Sequence, residues 1–185
     1  MNIAHVLDTH PADSIALISR NRTTTYGELR DQIDHLRGGL ASIGVGPGNR
    51  VALLCGNGRH FVITYFATLG LGAVAVPLNP LSPAPELETE IATVGAKVVV
   101  IEKLSAATWA NVDRSRVPTV ATVISSEHGS GPDGTQSVDE LLAADPVPVV
   151  DVSADTDAAL IFTSGTAGLP RAARLTHGNT AANIE

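Results

Sequence analysis

The chain has 185 residues, 44% hydrophobic and 17% charged, with 12 Lys and Arg against 19 Asp and Glu for a net charge of −7. That length suits one sizeable core and at most a second small unit, and the composition is that of a globular chain rather than a disordered one. An acidic chain with no basic stripe excludes nucleic acid as the expected partner, while a lone cysteine, Cys55, excludes an internal disulfide and fits a reducing, cytoplasmic compartment.

The opening Met1-Asn2-Ile3-Ala4-His5-Val6-Leu7-Asp8 has neither a basic flank nor a long apolar core, so no signal peptide is expected. Ile3 to Thr9 reads as a short helix. Ser14 to Ser19 and Thr23 to Thr25 read as short strands around a turn at Arg20-Asn21-Arg22. Thr25 and Glu28 then have capping-box spacing, and Leu29, Ile33, Leu36 and Leu40 follow the helical period, so a long helix runs to the stop signal at Gly44.

Arg50 to Cys55 is an apolar run with few polar breaks, as expected of a strand covered on both faces. Gly56-Asn57-Gly58 turns into a helix from about Arg59 to Leu71. Ala73 to Val76 is the next strand. The apolar stretch Phe61 to Leu78 is interrupted by Gly70, Gly72 and Pro77, so no membrane span is expected. A helix over Pro83 to Val94, a strand over Lys97 to Ile101, a helix over Leu104 to Val112 and a strand over Val117 to Ile124 follow, with Trp109 read as a packing residue. Strand and helix alternate, which predicts an α/β fold with a mainly parallel sheet and flanking helices.

Ser125 to Ser137 carries three glycines and a proline and reads as a surface loop, with His128 solvated within it. Ser137 and Glu140 repeat the capping-box spacing before a short helix, Val138 to Ala144. Asp151, Asp155 and Asp157 have part of a calcium-loop spacing but lack its glycine and closing glutamate, so they read as turn and strand-edge residues.

The stretch that carries chemistry comes near the end. Ala158 to Phe162 is a buried-strand pattern, followed by Thr163-Ser164-Gly165-Thr166-Ala167-Gly168-Leu169-Pro170-Arg171 and a second apolar run, Ala172 to Leu175. Glycines allow close backbone approach, consecutive N–H groups in a tight loop attract oxyanions, and Thr163, Ser164, Thr166 and Arg171 add donors. This is not the Walker A pattern, and the same residues also suit a polar turn between two strands. Thr176-His177-Gly178-Asn179 then opens a helix to Ile184. His177 reads either as a ligand-facing residue or as part of that helix's cap.

The loop, with Thr176-His177 after it, resembles the signature of the adenylate-forming enzymes: acyl-CoA synthetases, fatty acyl-AMP ligases, luciferases and peptide-synthetase adenylation domains. Thr25-Tyr26-Gly27-Glu28-Leu29 resembles an opening element of the same family. Leu69-Gly70-Leu71-Gly72-Ala73-Val74-Ala75-Val76-Pro77-Leu78-Asn79 is similar to the acyl-CoA synthetases in particular. The chain departs from the family pattern at Ala167 (for Thr), Arg171 (for Lys) and Ala172 (for Gly).

The resemblance implies the N-terminal part of the family's large domain, with residues 1–150 an α/β subdomain and 151–185 the start of the next. It implies that Thr163, Ser164, Gly165, Thr166, Gly168 and Arg171 hold the β- and γ-phosphates of ATP and that His177 lies near the nucleotide. It further implies a carboxylate substrate, with a fatty acid the narrower expectation, Mg2+ held by a glutamate this chain lacks, and CoA as acyl acceptor. No counterpart is present for the family's adenine-contacting segment, its Y-G-x-T-E element or its small C-terminal domain with a catalytic lysine. This chain is therefore expected to be inactive alone and to self-associate through apolar surface left uncovered. The alternatives are a non-catalytic nucleotide-binding or interaction module and an unrelated phosphate binder.

Overall fold

The computed structural model describes residues 1–19, 22–126, 131, 135–163 and 170–184. Ser164 to Leu169 and His128 lie outside the described residues. After a 3-10 helix, Ile3–Thr9, an antiparallel hairpin pairs β1 (Ile15–Ser19) with β2 (Arg22–Thr25) apart from the main sheet. The remaining elements are α1 (Tyr26–Ser42), β3 (Arg50–Leu54), α2 (Arg59–Gly70), β4 (Val74–Pro77), α3 (Ala84–Val94), β5 (Val98–Ile101), α4 (Lys103–Trp109), β6 (Thr122–Ser125), β7 (Gln136–Ser137), α5 (Val138–Leu141), β8 (Asp157–Phe162), β9 (Ala172–Thr176) and α6 (His177–Ala181). The main sheet has seven strands in the order β7-β6-β5-β3-β4-β8-β9. Every neighbouring pair is parallel except β8 and β9, which form an antiparallel hairpin.

The continuous apolar runs are strands packed on both faces. Val51 and Leu53 of β3, with Val98 and Val100 of β5, face a core formed with α1, α2 and α5. Ala52 and Leu54, with Val99 and Ile101, face the opposite core with Leu87, Ile91 and Trp109 of α3 and α4. A period of two thus sends alternate residues into two cores. Trp109 is buried as a packing residue, with the Arg114 guanidinium 5.1 Å from its ring centre.

Both capping boxes form. Thr25 Oγ1 accepts from Glu28 N–H while Glu28 Oε2 accepts from Thr25 N–H at 2.9 Å, and Ser137 and Glu140 do the same for α5. Gly44 ends α1 with φ of +82°, a conformation that suits glycine.

Three boundaries differ from the sequence reading. The strand expected over Val117 to Ile124 pairs only over Thr122–Ser125, because a 3-10 turn, Arg114–Arg116, precedes it and Pro118 has no N–H for a ladder. Gln136–Ser137, expected as loop, adds a short edge strand to β6. The helix after Ser137 is a single turn, and Ala143 and Ala144 close it with turn hydrogen bonds. Residues 157–162 and 172–176 contribute β8 and β9 to the main sheet.

Candidate functional site: the loop between β8 and β9

β8 is an interior strand, paired in parallel with β4 through Ala75 and Ala159 and antiparallel with β9 through Phe162 and Ala172. At its carboxyl end, Thr163 N–H donates to Arg171 C=O at 3.3 Å. That bond closes the base of the loop expected to hold phosphate, with Thr163 and Arg171 facing each other across its mouth. Ligands in open α/β sheets bind outside the carboxyl ends of the strands, and this mouth lies at such an end. Arg171 is exposed and makes no ion pair with a described residue. Ser164, Gly165, Thr166 and Gly168 lie outside the described residues.

The hairpin is braced on its exposed side. Arg174 donates to Asp157 from Nε at 2.9 Å and from Nη2 at 2.8 Å, a two-point contact between β9 and β8. Sequence reading did not pair these residues; the register shifts between Asp157 and Ala159, which sets Asp157 opposite Thr176 and makes Arg174 its diagonal neighbour.

His177 lies at the other end of the hairpin. β9 runs back to Thr176, which pairs with Asp157 at the amino end of β8. At about 3.4 Å per residue, the strand separates His177 from Arg171 by about 20 Å. Thr176 caps α6 by accepting from Asn179 N–H at 3.1 Å. The His177 ring is fully buried, and its Nδ1 accepts from Ile3 N–H at 3.1 Å. Its neutral form is therefore the tautomer with the proton on Nε2, and Nε2 has no partner among the described residues. Burial first, and then the N-terminal ammonium, hold this imidazole below its usual pKa. The structure thus brings Thr163 and Arg171 together at the loop and places His177 against the N-terminal segment.

Among the described residues, no group of three or more His, Cys, Asp or Glu side chains could hold a metal ion. Cys55 is buried, and burial, then the charge of Glu102, push its thiol far above the usual range, so it is no nucleophile.

The model of the AMP-binding enzyme family matches residues 3–185, and the chain belongs to that family. It is 36% identical over 159 residues to 4-coumarate–CoA ligase 5 of Oryza sativa subsp. japonica, covering 84% of this chain and 28% of that protein. It is 38% identical over 156 residues to a feruloyl-CoA synthase of Amycolatopsis sp, again covering 84% of this chain and 28% of the relative. The chain thus spans under a third of the length of these relatives. Among solved structures, the N-terminal domain of FACL13 from Mycobacterium tuberculosis superposes with a TM-score of 0.83 at 29% identity, over 95% of this chain and 44% of that one. ATP-bound MatB from Rhodopseudomonas palustris superposes with a TM-score of 0.80 at 28% identity, over 99% of this chain and 36% of that one. The fold is that of the N-terminal part of the adenylate-forming enzymes, and no helix among the described residues is long and apolar enough to cross a membrane.

Proposed function

We propose that the protein to which this chain belongs activates a carboxylate with ATP and transfers the acyl group to CoA. The carboxylate oxygen attacks the α-phosphorus, the acyl-adenylate forms and pyrophosphate leaves. A thiol then takes the acyl group and AMP leaves. The observation that carries the reading is the family match over residues 3–185 together with a loop whose base, Thr163 to Arg171, sits at the carboxyl end of β8. In this reading Thr163, Ser164, Gly165, Thr166, Gly168 and Arg171 hold the β- and γ-phosphates. Their N–H, hydroxyl and guanidinium donors oppose the charge that grows on the leaving pyrophosphate. ATP is the nucleotide, and this chain supplies only the phosphate-holding part of the apparatus.

The substrate proposed is a fatty acid. A medium-chain acyl-CoA ligase of Pongo abelii, 28% identical, supports it. An aromatic acid is the second reading, favoured by the names of the coumarate and feruloyl relatives. Carboxylate-dependent ATP–pyrophosphate exchange by the whole protein, run over aliphatic and aromatic acids, separates the two. Exchange with aromatic acids alone overturns the fatty-acid reading, and no exchange with any acid overturns ligase function. Arg171→Ala in the whole protein should lower exchange by about 100-fold or more, the size expected for one lost donor at a developing charge.

The 185-residue chain alone should give no exchange. A carboxylate-dependent signal from it would overturn that part of the reading. If it binds ATP without turnover and loses the binding on Gly165→Val, it works as a nucleotide-binding module. The isolated chain should also self-associate along β9, which pairs only with β8 among the described residues.

A further inference from the structure

A cleft of about 650 Å³ opens at the carboxyl ends of β3, β5 and β6, on the opposite side of β4 from the loop after β8. That is within the range that takes a small phosphorylated molecule. Its position follows from the connections. From β3 the chain leaves toward β4, and from its neighbour β5 it leaves toward β6. Strands whose connections diverge leave a crevice between their carboxyl ends, and open α/β sheets bind ligands there. The β1–β2 hairpin walls the outer side.

The cleft is basic in an acidic molecule. Arg22, Arg59 and Lys103 line it, with Glu102 the only carboxylate among its described lining residues. Glu102 is committed to the scaffold: its Oε2 accepts from Gly56 N–H at 2.9 Å, and Oε1 lies 3.5 Å from His60 Nδ1. Arg59 is half-buried, with Nη1 donating to Gln32 Oε1 at 2.5 Å and Nη2 lying 3.3 Å from His60 Nε2. Arg22 and Lys103 are exposed and have no partner among the described residues. Burial, then the charge of Arg22, draw Arg59 below its usual pKa, with Asp139 opposing. Gly58, the residue before α2, adds no side-chain cap to the helix's first turn.

We propose that this cleft is a second anion site, which takes a small ligand bearing a phosphomonoester or pyrophosphate group between Arg22, Arg59 and Lys103. Arg22, Arg59 and Lys103 together suit a phosphomonoester, which carries about two negative charges near neutral pH. The fork of arginine suits its oxygens. The site stands on the cleft's own residues and is independent of the ligase reading.

The test is an amide-resonance titration of the 185-residue Arg171→Ala variant with inorganic pyrophosphate, inorganic phosphate and succinate. The substitution removes the cation of the loop after β8. Pyrophosphate should shift the amides of Gly56, Gly58 and Lys103, with phosphate weaker and succinate weaker still. The double variant Arg22→Glu/Lys103→Glu should weaken pyrophosphate at least tenfold with an unchanged melting curve, since both side chains are exposed. The milder Arg22→Gln/Lys103→Gln pair should fall between. Shifts confined to the neighbourhood of Thr163, or equal affinity in the double variants, would overturn the site. Succinate as effective as pyrophosphate would overturn the phosphate assignment.

Discussion

His177 shows how a residue with one apparent task acquires another from its surroundings. The sequence places it after the phosphate loop at the start of a helix, and Thr176 does begin that helix. What periodicity cannot show is a contact with Ile3, 174 residues away in sequence. Because Nδ1 accepts the Ile3 N–H, protonation there destroys the bond and leaves a charge in a buried site beside the N-terminal ammonium. The folded pKa is therefore depressed, while the unfolded chain takes up its proton near 6.5. In that window the unfolded state binds more protons, so stability falls as pH drops below about 6.5 and levels off below the folded value. Thermal melts at pH 7.5 and 5.5 should show a lower Tm at pH 5.5, each 1 kcal/mol appearing as about 2–4 °C for a chain of this size. His177→Asn presents an oxygen near the position of Nδ1 and does not titrate, so its Tm should change less between the two conditions. An equal change in both proteins would remove His177 from the pH response. Thr163 and Arg171 were legible earlier because a strand followed by a Gly- and Thr-rich loop is a local pattern, whereas Asp157–Arg174 needs the hairpin register.

At the scale of elements, local signals were read well and contacts between elements were not. The two capping boxes follow from three-residue spacings, and both form. The pair Gly38-Gly39 inside α1 has no local sign of its importance. A Cβ on Gly38 would lie 1.9 Å from Asp145 C=O, and one on Gly39 would lie 2.4 Å from Leu141 C=O. Both obstacles are backbone, held in place by α5 and the turn after it, so neither can yield cheaply. Arg37, next to them, is buried and donates to Val147 C=O at 2.6 Å, while Gly70 leaves room for its side chain across α2. The helices thus approach closely through a line of small residues. Replacing Gly by Ala in a free helix gains about 1 kcal/mol, but overpacking costs about 1–3 kcal/mol, and against fixed backbone the clash wins. Gly39→Ala should therefore lower stability by about 1–2 kcal/mol in urea unfolding. Gly46→Ala, where a Cβ meets nothing within 4 Å, should leave it unchanged or slightly raised. A stabilised Gly39→Ala protein would show that α5 moves away freely.

For the whole molecule, alternation of strands and helices predicts the parallel sheet, since each crossover must return to the same edge direction. The strand order was not legible, because apolar runs buried on both faces carry no face label and each could sit beside any other. The consequence of that order falls on the edges. β7, of two residues, is too short to offer a template, but β9 has five, of which Ala173, Arg174 and Leu175 are exposed. Arg174 is drawn back to Asp157, which reduces its value as a guard against pairing. Leu175 is 36% exposed and stands beside this open edge. An edge of this length with an apolar residue invites a second copy to add its own β9. The isolated chain should therefore show an average mass in light scattering that rises with concentration. Leu175→Glu places like charges face to face in such a pair, which is destabilising by about 0.2–1 kcal/mol per cross-strand contact. It should return the protein to monomer while leaving Tm nearly unchanged. A monomeric parent chain at high concentration, or association untouched by Leu175→Glu, would locate any contact away from β9.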